Sequence, residues 1–305
     1  MHRSTSRVAR RLVAAAGGLA LAGLALLPTA ASADPHPAPV AGPVVAGSGY
    51  LALGDSVSFG YREPTTLPRP DYTRAASFVG YPEEVAAALG LHLTNLACPG
   101  ETSGSFINAA AQSNGCENSL SAKGMKVPVG YRTAYPLHAG YEGSQLAAAV
   151  EYLRHHPDTR LVSLMIGAND GFLCQKETSD GCTSAAETTA LAKEIATNVA
   201  TILGAIRRVY HGQIAVVGYY SLDYANKAAS QSSQLLDAAQ AAGARPFHVE
   251  MVNGYGSFRA AAKYSGGNSC TAGLLTQLST GGCGVHPSPG GQAVLAQAVE
   301  ATVVK

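Results

Sequence analysis

The sequence predicts an α/β fold in three α/β/α layers, with a central five-stranded parallel sheet covered by helices on both faces. Three observations predict it. Five apolar stretches of strand length recur along the chain: YLALG (50–54), LHLTNLA (91–97), RLVSLMIG (160–167), QIAVVGYY (213–220) and FHVEMVN (247–253). Segments with helical spacing fall between them, and strands alternating with helices imply a parallel sheet. No second linker interrupts the chain beyond residue 48, so a single domain with a large core is expected over 49–305.

In chain order, the first strand ends in Gly54, Asp55 and Ser56, all ordinary turn residues. PEEVAAALG begins a helix at Pro82, and the second strand then runs into CPGETSGS, which contains Gly100. QLAAAVEYLRHH forms a helix leading to Pro157, and the third strand ends in Gly167, Ala168, Asn169 and Asp170. The long helical stretch AAETTALAKEIATNVATILGAIRRVY is expected to be capped by Gly212. After the fifth strand, Gly284, Val285, His286 and Pro287 precede a terminal helix that begins near Ser288 and reads as purely structural. Ligands of parallel α/β sheets bind beyond the carboxyl ends of the strands, so these ends are where chemistry is sought.

The amino terminus reads as a secretory signal peptide over residues 1–33. Arg3, Arg7, Arg10 and Arg11 precede the apolar run LVAAAGGLALAGLALL, and Ala31, Ser32 and Ala33 form a small-residue exit. The run falls short of the roughly 20 residues a membrane-spanning helix needs, which weighs against a retained anchor. Arg10 and Arg11 leave twin-arginine export open beside the general secretory route. Residues 34–48, rich in Pro, Ala and Gly, are expected to be a flexible leader. A formal charge of +1 with 13% charged residues, and no basic run or acidic tail, gives nucleic-acid binding no support.

The six cysteines, an even number in an exported chain, suggest disulfides. Pairing sequence neighbours is the simplest scheme: Cys98 with Cys116, Cys174 with Cys182, and Cys270 with Cys283. No CxxC occurs and the histidines are not grouped with the cysteines, so a metal site is not expected, nor is any other cofactor.

Four short motifs stand in order at the strand ends: GDSV at Ser56, CPGETSG at Gly100, GAND at Asn169 and VHPSPGG at His286. On these the chain resembles the SGNH hydrolases, the GDSL esterase and lipase family, over nearly everything from Tyr50 onward; its local disulfide pattern resembles that of secreted actinomycete members. The resemblance implies the flavodoxin-like sheet and a secreted serine esterase or lipase acting on lipid or short-chain acyl esters. Family members also include phospholipases and carbohydrate deacetylases, and a weakly active ligand-binding protein on the same fold is the reading outside catalysis. A small-molecule or lipid ester is the expected partner, met by a monomer with no stable membrane anchor.

The chemistry favours the same reading. A serine hydroxyl needs a base to take its proton, and His286 is the candidate base for Ser56. The backbone N–H groups of Ser56 and Gly100 and the side-chain amide of Asn169 are the candidate oxyanion hole. Each residue alone has a plainer reading: Asn169 as a cap, Gly100 as a turn, His286 as a surface histidine near a helix cap. Their joint arrangement is what favours catalysis. Asp55 and Asp170 are expected to fix loops by accepting backbone hydrogen bonds.

One departure from the family pattern matters. Many members carry an Asp three residues before the catalytic His, and here that residue is Cys283. The expectation is a Ser56–His286 dyad whose imidazole is oriented by the Cys283 backbone carbonyl; Asp223, swinging in as a remote third member, is the alternative. For substrate binding, Phe59, Tyr61, Phe172 and Leu173 are expected to line an apolar cleft. The long irregular segment 118–145, with Tyr131, Tyr135, Leu137 and Tyr141, either covers an acyl chain or shields the core.

Overall fold

The computed structural model describes residues 42–120, 126–127 and 129–305. The predicted signal peptide and residues 34–41 of the leader lie outside the described residues. Five strands form the central sheet: β1 (Gly49–Gly54), β2 (His92–Asn95), β3 (Thr159–Met165), β4 (Gln213–Val217) and β5 (Glu250–Val252). All pairings are parallel and the spatial order is β2-β1-β3-β4-β5. The order reverses between β1 and β3, and at such a switch point the two following loops diverge to opposite faces and leave a crevice.

Alternation along the strands divides the core in two. Tyr50, Ala52, Leu161, Met165, Ala215 and Val217 face one layer, which includes helix α1 (Tyr81–Leu89). Leu51, Leu53, Val162, Leu164, Ile214 and Val216 face the other, built on α2 (Gln145–His155) and α3 (Ala185–Arg207). Helix α3 ends at Arg207, so Gly212 is not its cap. Helix α4 (Lys227–Ala244), whose serines and glutamines dilute its apolar period, has no counterpart in the sequence prediction. The terminal helix α5 (Pro289–Thr302) begins as expected, with the Ser288 hydroxyl accepting from the Gly291 N–H.

The folded part starts earlier than the sequence predicts. Within the expected leader, Val44 is buried and its N–H donates to the Val304 carbonyl, while the Gly47 N–H donates to that of Gly90. Residues 44–47 are therefore held against the domain by hydrogen bonds, because an apolar side chain among the prolines found a place in the core. The three disulfides pair as predicted: Cys98–Cys116, Cys174–Cys182 and Cys270–Cys283. Among the described residues no helix is long and apolar enough to cross a membrane.

Candidate active site

The loop after β1 places Ser56. Gly54 has φ +133°, and a Cβ there would stand 2.1 Å from the Met165 carbonyl oxygen, so only glycine fits. The Gln145 side chain holds that glycine from both sides, its Oε1 accepting from the Gly54 N–H at 2.7 Å and its Nε2 donating to the Gly54 carbonyl at 3.0 Å. Asp55 then caps the one-turn helix Ser56–Phe59 by accepting from the Val57 N–H at 2.9 Å. Ser56 is thereby the first residue of the turn, where a backbone N–H has no partner within the helix.

His286 arrives on a hairpin. Strands β6 (Leu275–Gln277) and β7 (Cys283–Pro287) pair antiparallel, and the Cys270–Cys283 disulfide fixes the start of β7. The chain segment after Ser56 is stitched to this hairpin: the Leu67 N–H donates to the Gln277 carbonyl at 2.9 Å and the Ser279 N–H to that of Thr65 at 2.7 Å. That stitching carries Glu63 to His286. The imidazole Nδ1 lies 2.7 Å from Glu63 Oε1, and Nε2 lies 2.9 Å from Ser56 Oγ. Glu63 Oε1 also accepts from the Val285 N–H at 2.9 Å, and Oε2 from the Thr276 hydroxyl at 2.7 Å. Burial opposes ionisation of Glu63, but the hydrogen bond and charge of His286, aided by Thr276, outweigh it and hold the carboxyl down at about 2. An ionised carboxylate only accepts, so Nδ1 carries the proton and Nε2 is free to receive that of Ser56.

This corrects the predicted dyad. The Cys283 carbonyl does not orient His286: Cys283 and His286 lie in one extended strand, where three residues at roughly 3.3 Å each span about 10 Å. The carboxylate of Glu63 occupies Nδ1 instead. Nor does Asp223 serve, since its carboxylate accepts from the Ala225 N–H at 2.9 Å and the Asn268 amide at 3.3 Å. Sequence reasoning missed Glu63 because it looked three residues before the histidine and beyond the fourth strand, not after the serine. The available signal was position: Glu63 is the one acid between Asp55 and Asp71, just beyond the serine turn.

The other two motif residues meet through Asn114. Asn169 opens the helix α6 (Ala168–Glu177), and its Nδ2 donates to the Glu101 carbonyl at 3.0 Å while its Oδ1 accepts from Asn114 Nδ2 at 2.8 Å. Gly100 has φ +87°, a Cβ there would lie 2.7 Å from Gly115, and its carbonyl accepts from the Asn114 N–H at 2.8 Å. Asp55 and Asp170 hold loops as expected: Asp170 accepts from the Ser103 N–H at 2.9 Å, and Asp55 takes the Tyr219 hydroxyl besides Val57.

Ser56, Asn169 and His286 line one cavity of about 380 Å³; Gly100 is not on its wall. The cavity runs between the start of α6 and α4, and Phe172, Leu191, Leu222, Leu235, Leu236 and Val285 make it mostly apolar. Of the predicted cleft residues only Phe172 lines it. Phe59 is fully buried against Phe78 and Tyr131; Tyr61 stacks on Phe78 and sets its ring 4.9 Å from the His286 ring; Leu173 is buried on the other side of α6. In segment 118–145, Tyr131 and Leu137 belong to this aromatic cluster, Tyr135 packs on Tyr72 at its edge, and Tyr141 packs on the second core layer. They shield the core, and α4 supplies the wall that the sequence reading assigned to them.

Phospholipase A1 from Streptomyces albidoflavus has a similar structure at 18% identity and TM-score 0.51, covering 85% of this chain and 100% of that one. The extracellular lipase from Streptomyces rimosus gives 18% and 0.52, covering 84% and 100%. A variant of the acetyl xylan esterase Axe2 from Geobacillus stearothermophilus gives 15% and 0.51, covering 85% and 95%. These likenesses establish the fold. No curated protein matches the sequence. Residues 52–294 match the GDSL-like lipase/acylhydrolase family over most of the chain, so the protein belongs to that family and is a carboxylic ester hydrolase.

Proposed function

We propose that the protein is an exported serine esterase or lipase that cleaves esters of apolar acyl groups through an acyl-enzyme on Ser56. The observation that carries the reading is the hydrogen-bonded line Ser56–His286–Glu63, 2.9 and 2.7 Å long, at the wall of an apolar cavity. Ser56 Oγ attacks the ester carbonyl as its proton passes to His286 Nε2, and Glu63 stabilises the imidazolium that forms. The charge on the carbonyl oxygen is met by the Ser56 N–H and by the Asn169 amide, the two predicted donors that line the cavity. Imidazolium gives its proton to the departing alcohol oxygen as the ester C–O bond breaks; water then enters, loses a proton to Nε2 and attacks the acyl carbon, and as the bond from the acyl carbon to Ser56 Oγ breaks the imidazolium returns that proton to Oγ and the acid leaves. The apolar wall supports an acyl chain longer than acetyl, since acetyl would leave most of the cavity unfilled. Three disulfides support an oxidising compartment, in line with the basic and apolar amino terminus.

A fluorophosphonate probe followed by peptide mapping is expected to label Ser56, and kcat/KM on p-nitrophenyl esters is expected to rise from acetyl to longer chains. Folded protein that stays unlabelled would overturn the reading. A maximum at acetyl would overturn the acyl-chain assignment and favour a deacetylase.

A further inference from the structure

We propose that Asn114 and Lys176 are positioning residues that orient and polarise the Asn169 amide as an oxyanion donor, an inference that rests on the ester hydrolysis proposed above. Lys176 Nζ donates to Asn114 Oδ1 at 2.6 Å, Asn114 Nδ2 donates to Asn169 Oδ1 at 2.8 Å, and Asn169 Nδ2 donates to the Glu101 carbonyl at 3.0 Å. The direction of this line is set at one end. An ammonium has donors only, so the Asn114 atom facing it is the oxygen; the Asn114 nitrogen therefore faces Asn169, whose oxygen must receive it. A flipped Asn169 would set its oxygen against the Glu101 carbonyl and two amide groups of Asn114 and Asn169 donor to donor. With one N–H given to Glu101, the second N–H of Asn169 is left for the cavity that this residue lines.

The line also carries charge. A cation on the carbonyl of one amide draws electron density from its N–H end, and the next amide in line is polarised in turn. A stronger donor at Asn169 stabilises the charged transition state more than the neutral ester, which is the difference that raises kcat. Asn114 is itself fixed beside the site, because its own N–H donates to the Gly100 carbonyl at 2.8 Å. Disulfides pin each end: Asn114 lies two residues before Cys116, bonded to Cys98, and Lys176 two residues after Cys174, bonded to Cys182. Asn169 and Lys176 share helix α6, seven residues apart and so about two turns along one face.

The test is steady-state kinetics of Asn114→Asp, Lys176→Met and Asn169→Ala, singly and combined, on one p-nitrophenyl ester, with melting temperatures. Asn114→Asp keeps the shape and the lysine contact but replaces the donor facing Asn169 by an acceptor; kcat is expected to fall about 10- to 100-fold with KM held within about twofold. Lys176→Met, on the surface, is expected to lower kcat a few-fold, less so in high salt, where an exposed charge is screened. In the Asn169→Ala background neither change is expected to matter further. Wild-type kcat in both variants, or losses that simply add to that of Asn169→Ala, would overturn the proposal. Should Asn114→Asp melt early, Lys176→Met and its pairing with Asn169→Ala decide on the same terms. Absence of probe labelling at Ser56 in the wild type would overturn the hydrolase reading and this proposal with it, whereas additive losses in a labelled enzyme overturn this proposal alone.

Discussion

Asp55 and Glu63 flank the same serine on one short stretch of chain, and the fold gives them opposite characters. Asp55 is fully buried, and desolvation pushes its carboxyl up to about 6 despite the Tyr219 hydroxyl and the Val57 N–H, which favour the ionised form. Glu63 keeps 19% of its side chain exposed and faces an imidazole, and its carboxyl is held down at about 2. Adjacency to the proposed nucleophile does not decide the character of an acid; the partner that the tertiary fold brings to it does. Asp55 shapes the turn that carries Ser56, and Glu63 sets the tautomer of the base.

The largest effect that separates the two is expected at Glu63. Glu63→Gln keeps the size of the side chain but removes the charge that steadies imidazolium, and kcat is expected to drop on the order of 10³ to 10⁴ with the fold intact by circular dichroism. A loss of only a few-fold would mean that the Glu63 charge does not support the base. A smaller loss is expected from Gly284→Ala, which leaves Glu63 in place chemically but not spatially. Its Cβ would stand 2.1 Å from Glu63 Oε1, and that oxygen is held by the Val285 N–H and His286, so the carboxylate must shift. A displacement of this kind is expected to cost about 10- to 100-fold in kcat, and full activity would mean that the Glu63 position is not critical.

The smallest effect is on stability and has opposite signs at the two acids. For Asp55, below its ordinary value of 3.8 both folded and unfolded chains hold the proton and nothing is lost; as pH rises through about 6 the native state must ionise a buried acid, so stability falls across that window. For Glu63 the folded value lies below the ordinary 4.5, so its contribution is present above that pH and is lost as pH falls toward about 2. Asp55→Asn removes the first of these. Its stability relative to wild type is expected to improve by on the order of 2 kcal/mol between pH 4 and pH 8. Thermal melts at the two values check this, and a difference that does not change with pH would contradict it.

What was legible in the sequence follows the range of the interactions. The five strands, their parallel pairing and the disulfides, each closing a loop of 8 to 18 residues, are local or repetitive signals. Ser56, Asn169 and His286 were legible because each sits in a motif at a strand end, where the fold class itself directs attention. Glu63 was not, since its partner lies 223 residues away and the contact depends on a hairpin docking beside a loop. The cavity wall escaped for a related reason. Leu222, Leu235 and Leu236 stand before and within α4, whose small and polar residues hide its helical period, while the conspicuous Tyr131 and Tyr141 pack on the core.

The position of the proton on the His286 ring reports directly on what Glu63 does. Nitrogen-15 spectra of histidine-labelled protein at neutral pH, assigned with a His286→Gln control, distinguish the two neutral tautomers. In the resting enzyme the neutral ring is expected to carry its proton on Nδ1, toward Glu63, and Glu63→Ala, which leaves no acceptor there, is expected to abolish this preference. A ring protonated on Nε2, or an Nδ1 preference untouched by Glu63→Ala, would contradict the role given to Glu63.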